Sequence, residues 1–129
     1  MSTLVVATVK SASSAAPVFH NSSGVEKGQL CKAWADLSGD SNPPALRGSF
    51  NISSVTDNGT GDHTFNFTTA MTNTAYAVSC LAGGTSSADD CGFAIAQTKA
   101  TGSMRMACRT SRTSGKTDFA VEDMLVFGP

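Results

Sequence analysis

The sequence is short of charged residues, and neither sign is in excess. Nine Lys and Arg stand against ten Asp and Glu, which gives a formal net charge of −1. Proteins that bind nucleic acid through its phosphates carry a basic excess, so we expect no nucleic-acid partner. No apolar run approaches the roughly 20 residues that a membrane-spanning helix requires. The short run at residues 4–7 also lacks the basic start of a signal peptide, so we expect neither membrane insertion nor a targeting segment.

The strong helix formers Leu, Glu and Lys are also scarce, whereas Ser, Thr, Ala and Gly are abundant. This composition disfavours helices, because Thr and Val prefer strands and Gly weakens helices. From residue 30 onward, apolar and polar residues alternate with a period of two, which is typical of strands with one buried face. With 129 residues, the chain is long enough for one domain with a substantial core.

The clearest local signal is a β-hairpin around residues 57–62. Phe50 and Ile52 alternate with polar residues before it, and Phe65 and Phe67 do so after it. The Asn-Gly pair at residues 58–59 predicts a type I′ turn, because both central residues of that turn need a positive φ. We therefore predict two aromatic-bearing strands joined by a tight turn.

Similar segments follow along the chain, and the Pro-rich residues 38–44 predict a loop. Seven or eight strands at this spacing predict an all-β fold, a single antiparallel β-sandwich of jelly-roll-like type, over residues 29–129. The side chains that we expect to be mostly buried are large and apolar: Trp34, Phe50, Ile52, Phe65, Phe67, Tyr76, Val78, Phe93, Ile95 and Phe119.

Residues 1–28 have a different character, with two short apolar pieces separated by small polar residues. We interpret this segment as an extended N-terminal arm for attachment or for contact within a trimer, because it is too small to bury its own surface. An equally weighted alternative makes it one more edge strand of the main sheet. Its candidate anchors are apolar: Leu4, Val5, Val6, Val18 and Phe19.

The four cysteines lie far apart and form no CxxC pair, which argues against a structural zinc site. Buried free thiols are the favoured interpretation. The alternative is a disulfide between Cys80 and Cys91, which flank residues 81–90 and could face each other across a hairpin once the protein leaves the reducing cytoplasm.

No residue pattern predicts catalysis. His63 follows Asp62 directly, but neighbours on a strand point to opposite faces, so the carboxylate cannot orient the imidazole. We expect His63 to be packed or half-exposed on the same face as Phe65 and Phe67. The acid pairs at residues 89–90 and 122–123 are interpreted as solvated charge, since glycosidases need acids separated across a cleft. Calcium binding by Asp57, Asp62, Asp89 and Asp90 is a minor alternative. We predict no enzyme, no cofactor and no metal.

One basic concentration, Arg105, Arg109, Arg112 and Lys116, is a candidate docking site for an acidic partner. The simpler interpretation is an outward-facing polar stripe on an edge strand.

Several segments together resemble the small tail-fibre-like and virion appendage proteins of aquatic bacteriophages. Residues 32–34 and 46–71 carry most of the resemblance, and its most specific part is Ser-Phe-Asn-Ile-Ser-Ser-Val-Thr-Asp-Asn-Gly-Thr-Gly-Asp at residues 49–62. The opening Met-Ser-Thr-Leu-Val-Val, Tyr76 after the Ala-Met pair, and the closing Phe-Gly at residues 127–128 match as well.

This resemblance implies a non-catalytic virion structural protein, assembled in the host cytoplasm. It implies a homotrimeric, fibre-like appendage for attachment or host contact, with other capsid or tail proteins as partners. A host-surface glycan is a further candidate partner, and an anionic one would suit the basic concentration described above. The alternative is a capsid decoration or cement protein that stabilises the phage head.

Overall fold

A computed structural model describes residues 18–84, 91–111 and 115–128. Within them every regular element is a β-strand, and every pairing is antiparallel, so the all-β prediction is confirmed. None of these residues belongs to a helix long and apolar enough to cross a membrane. The strands are β1 Val18–His20, β2 Glu26–Gln29, β3 Ala33–Ser38, β4 Ala45–Phe50, β5 Ile52–Asp57, β6 Asp62–Phe67, β7 Ala77–Gly83, β8 Cys91–Lys99, β9 Ser103–Arg109 and β10 Val121–Phe127.

The chain divides into two units, Met1–Leu30 and Cys31–Pro129. In the first unit β1 and β2 pair with each other as a two-stranded sheet. The turn between them is held by Asn21, whose Oδ1 accepts hydrogen bonds from the backbone N–H groups of Ser23 and Val25. The described part of the predicted arm is therefore a hairpin rather than one extended strand.

The second unit is a single eight-stranded sheet in the order β4-β3-β10-β7-β8-β9-β6-β5. Its two edge strands, β4 and β5, are consecutive in the chain and are separated only by Asn51. This residue has a φ of +58°, a left-handed conformation that Asn tolerates better than most residues. Its side chain accepts from the Thr69 N–H at 2.7 Å and donates to the Lys32 carbonyl at 3.0 Å. The sheet is therefore nearly closed.

The ladder between β7 and β8 is short, because only two residue pairs join these strands. Gly92 sits at this junction, opposite Ala82. A Cβ on Gly92 would lie 2.7 Å from Cζ of Phe119, so glycine is required for the Phe119 ring to pack against this junction.

The core of the second unit is formed by side chains from one face of its strands. Small residues of β3 and β8 point inward, together with the large side chains of β6, β9 and β10. The buried apolar side chains are Ala33, Ala35, Leu37, Phe65, Phe67, Met71, Tyr76, Ala82, Met104, Met106, Cys108, Phe119, Met124 and Val126.

The prediction that a side chain is buried is wrong for four residues. Trp34, Phe50, Phe93 and Ile95 are 40%, 54%, 52% and 50% exposed. Their neighbours on the same strands, such as Ala33 and Ala35 beside Trp34, occupy the inward positions, because side chains alternate between faces. Phe65, Phe67, Tyr76 and Phe119 are buried as predicted, and Ile52 and Val78 are partly buried.

The predicted β5–β6 hairpin is confirmed, but its turn is not of type I′. Four residues, 58–61, connect the strands, and the positive φ angles are at Gly59 and Gly61 instead of Asn58. The Asp57 carboxylate accepts from the Gly59 N–H at 2.8 Å, and the Asn58 amide donates to Thr64 Oγ1 at 2.8 Å. These side-chain bonds favour a longer loop.

Candidate functional site

The predicted basic docking cluster lies around a buried carboxylate. Asp62, only 3% exposed, accepts from Arg105 Nε at 2.6 Å and from Arg105 Nη2 at 2.7 Å. Lys116 binds the same carboxylate and forms a backbone bridge with Arg109. The Arg105 hydrogen bonds hold the pKa of Asp62 well below its usual range. Two of the four predicted cations are therefore bound to one acid.

The position of Arg105 also contradicts the simpler interpretation of these residues as a polar stripe on an edge strand. Arg105 lies on β9, which has β8 on one side and β6 on the other, so it is not on an edge strand. Arg112 lies outside the described residues. Docking of an acidic partner at these residues stays a prediction.

A second polar cluster lies inside the core. His63 on β6 and Glu122 on β10 are 1% and 0% exposed, and His63 Nδ1 lies 2.7 Å from Glu122 Oε2. The other carboxylate oxygen accepts from the Phe119 N–H at 3.1 Å. The interpretation of Glu122 as solvated charge is therefore wrong. The expectation that His63 is packed on the core face, away from Asp62, is confirmed.

The environment of His63 favours its charged form. Burial opposes protonation, but the hydrogen bond and negative charge of Glu122 outweigh it, so the pKa of His63 is raised. His63 Nε2 is buried and has no hydrogen-bond partner among the described residues. A buried polar atom without a hydrogen bond lowers the free energy of unfolding. The contact with Glu122 has to offset this loss.

Gly39 makes room for this pair. A Cβ at this position would overlap the Glu122 carboxylate. Because no side chain occupies that space, the carboxylate can lie between β3 and the Phe119 backbone.

Cys108 on β9 faces the same part of the core. Burial and the charge of Glu122 raise the pKa of its thiol, and burial raises the pKa of Cys80 to about 11. Both thiols therefore remain protonated at neutral pH, when they are poor nucleophiles. Although His63, Glu122 and Cys108 are residue types found in catalytic triads, all three are closed off from solvent. None of these three side chains is therefore presented at the surface.

The cysteines were interpreted either as free thiols or as including a Cys80–Cys91 disulfide, and the structure distinguishes these alternatives. Cys31, Cys80 and Cys108 are free thiols. The strand register puts Cys91 opposite Gly83, three residues from Cys80, which is about 10 Å along a strand and beyond the reach of a disulfide. The proposed Cys80–Cys91 bridge is therefore wrong.

Only two of the four candidate calcium ligands, Asp57 and Asp62, lie among the described residues. Asp62 is occupied by Arg105 and Lys116, and Asp89 and Asp90 lie outside the described residues. Across the described part of the chain, no group of three His, Cys, Asp or Glu side chains has a geometry suited to a metal ion.

The outer surface of the sheet carries the other unusual feature, a set of exposed large apolar side chains. Trp34 on β3 pairs directly with Phe50 on β4 and with Leu125 on β10, which makes an apolar row across three strands. A second group occupies the β7–β8 junction, where Leu81, Phe93 and Ile95 are each at least half exposed. We call this second group the apolar ridge.

The Trp34 row is bordered by charged side chains. Asp36, two residues along β3, accepts from Arg47 Nε at 2.8 Å, and Asp123 on β10 lies directly opposite Asp36. The Arg47 hydrogen bond lowers the pKa of Asp36. Burial, followed by the charge of Asp36, raises the pKa of Asp123. Asp123 is therefore only partly exposed and not simply solvated as the sequence suggested.

The predicted arm anchors are only partly described. Val18 and Phe19 lie on β1, and Phe19 is exposed. Leu4, Val5 and Val6 lie outside the described residues.

Comparison of the chain with protein-family models, with curated proteins and with solved structures gives no match.

Proposed function

We propose that this protein is a structural module of a bacteriophage virion, a homotrimeric, fibre-like appendage that takes part in attachment or host contact. The observation that carries the proposal is the distribution of side chains over the two faces of the sheet. Residues with reactive chemistry, His63, Glu122 and Cys108, are buried, whereas large apolar residues are exposed. A surface of that kind serves contact with other molecules better than it serves catalysis.

The apolar ridge supports association with further copies of the chain. Leu81 precedes the paired Ala82 by one residue, and Phe93 follows the paired Gly92 by one, so the two side chains emerge together where the strands diverge. Arg109 lies directly opposite Phe93 on the neighbouring strand. An apolar centre bordered by arginine is the usual anatomy of a protein–protein interface.

We also propose that the near-closed sheet works as a sandwich of two four-stranded layers, with a jelly-roll-like arrangement. Strands β4, β3, β10 and β7 would form one layer and strands β8, β9, β6 and β5 the other. The narrow two-pair ladder between β7 and β8 and the single residue Asn51 between β4 and β5 support two corners, and both layers contribute side chains to one core.

The particle itself tests this function. Antibodies against the folded protein should label purified virions of the phage that encodes it, and quantification against the major capsid protein gives its copy number. A copy number that corresponds to a few symmetric positions on the particle supports a fibre. A count that approaches that of the capsid protein contradicts the fibre and indicates a decoration protein. Absence of the protein from purified particles overturns the virion role altogether.

A further inference from the structure

Trp34 is held in an unusual position on the outer face of the sheet. Its ring lies over Gly48 of β4, so that a Cβ on this glycine would be 3.2 Å from two atoms of the six-membered ring. A side chain at position 48 would push the indole away from the sheet. Because glycine is there, the ring can lie against the strand while the residue remains 40% exposed.

The surroundings of the ring are both apolar and polar. Phe50 and Leu125 extend the apolar surface on either side of Trp34. A shallow depression of about 200 Å³ adjoins the ring, and its lining residues are Trp34, Ala35, Asp36, Asp123, Met124 and Leu125. The depression thus combines an aromatic wall with two carboxyl groups.

The polar groups beside the ring are fixed in place. Arg47 donates to Asp36 and also to the backbone carbonyl of Ala120, at 2.6 Å. Asp36 and Arg47 remain about 40% exposed, so each can make further hydrogen bonds. Because their positions are set before any ligand arrives, less conformational entropy is lost on binding.

We propose that this surface, which we call the Trp34 platform, binds a neutral pyranose sugar. One face of a pyranose presents C–H groups that carry partial positive charge, and these contact the negative face of an aromatic ring favourably. Its edge presents hydroxyl groups, which can donate to Asp36 and accept from Arg47. The platform offers both kinds of contact side by side.

The chemistry of the platform disfavours other occupants. A second copy of the chain seated there would bury Asp36, Arg47 and Asp123, and desolvation of such charges is expensive unless they are fully paired. An acidic sugar would meet the carboxylates of Asp36 and Asp123. A neutral sugar leaves the Asp36–Arg47 pair intact and partly hydrated. The inference rests on the proposed function in one respect, that the sugar would belong to a host-surface glycan.

Trp34 is the single tryptophan of the chain, so its fluorescence reports on the platform directly. The full-length protein should be titrated with methyl β-glucoside, methyl β-galactoside and chitotetraose, with polysialic acid as an anionic comparison. We expect a saturable shift of the emission with at least one neutral sugar and none with polysialic acid. The absence of saturable binding to any of the three neutral probes overturns the proposal.

Variants separate the platform from the rest of the surface, and saturation-transfer NMR reads binding where the fluorophore is removed. Trp34→Ala should weaken binding at least about tenfold, in line with the loss of one aromatic contact. Trp34→Phe should keep part of the affinity, and Asp36→Asn should weaken it. The matched control is Phe127→Ala, an exposed aromatic that does not line the depression, which should bind as the wild type does. Equal binding by Trp34→Ala and wild type contradicts the assignment.

Two further outcomes are distinguishable. If the emission shifts with protein concentration instead of with sugar, the platform is a contact between copies and the sugar site is refuted. If sugar binds but the protein is absent from virions, the platform stands and the proposed virion role fails.

Discussion

Replacing Glu122 by Gln tests the buried polar pair. The substitution keeps the size of the side chain, and its amide oxygen can still accept from the Phe119 N–H. It removes the negative charge that lies 2.7 Å from His63. Removal of one partner from a buried ion pair destabilises proteins by about 3–5 kcal/mol. Because Gln retains a hydrogen bond, we expect the lower end of that range, roughly 3 kcal/mol.

The pH dependence of the free energy of unfolding is the more specific part of this prediction. The pKa of His63 is raised in the folded protein, above the value near 6.5 expected for the unfolded chain. The stabilisation from this pair is therefore fully present below about pH 6.5 and is lost as the pH rises through the folded pKa. In Glu122→Gln burial, the largest influence, is opposed only by the more weakly acting charges of Asp118 and Asp57, so the pKa of His63 should fall. The dependence of the free energy of unfolding on pH should therefore change sign, and acidification should destabilise the variant.

Urea unfolding followed by circular dichroism between about pH 5.5 and 9 measures both effects. The matched control is Glu26→Gln, the same chemical change at an exposed position on β2, which should leave the free energy of unfolding almost unchanged. The reasoning is refuted if Glu122→Gln unfolds with the wild-type free energy and the wild-type pH profile.

Three other substitutions or modifications have definite expected outcomes. Phe65→Ala, at a fully buried site, should lower the free energy of unfolding in urea by about 3–5 kcal/mol, and a cost below about 1 kcal/mol would contradict its place in the core. Gly92→Ala should cost about 1–3 kcal/mol through overlap with Phe119, whereas Gly102→Ala, with no atom within 4 Å of the added Cβ, should be far milder in the same assay. A maleimide reagent at neutral pH should leave Cys108 unmodified by mass spectrometry until the protein is unfolded, and rapid labelling of the native protein would show that the thiol is accessible.

The period of two along the sequence correctly predicted strands, but on β3 and β8 it did not predict which face points inward. On β3 the largest apolar residue, Trp34, lies between Ala33 and Ala35, and on β8 the stripe with Phe93 and Ile95 is larger and more apolar than the alanine stripe beside it. The alanines are nevertheless inside, because the core is already filled by Phe65, Tyr76, Phe119 and several methionines from other strands. That balance of volume depends on contacts between strands far apart in sequence, which local pattern does not contain.

Of the buried pair, only His63 was placed on the core face by the sequence pattern. His63 shares its parity with Phe65 and Phe67, and this alternation placed it correctly on the core face. Glu122 shares its parity with Met124 and Val126 in the same way, a signal that was present but outweighed by the charge of the Glu122–Asp123 dipeptide. The pairing of the two residues, 59 positions apart, follows from the fold and could not be predicted from spacing. The Trp34 platform likewise depends on Gly48 and Asp123 of neighbouring strands.

The mass of the full-length protein in solution, measured by light scattering after size exclusion, tests most directly whether copies associate through the apolar ridge. We expect a mass three times that of the 13.2 kDa chain. A Phe93→Ser, Ile95→Ser double variant should dissociate to monomers, whereas Gln97→Ser, an exposed change on the same strand, should remain trimeric. A monomeric wild-type protein, or a double variant that stays fully trimeric, would contradict the account.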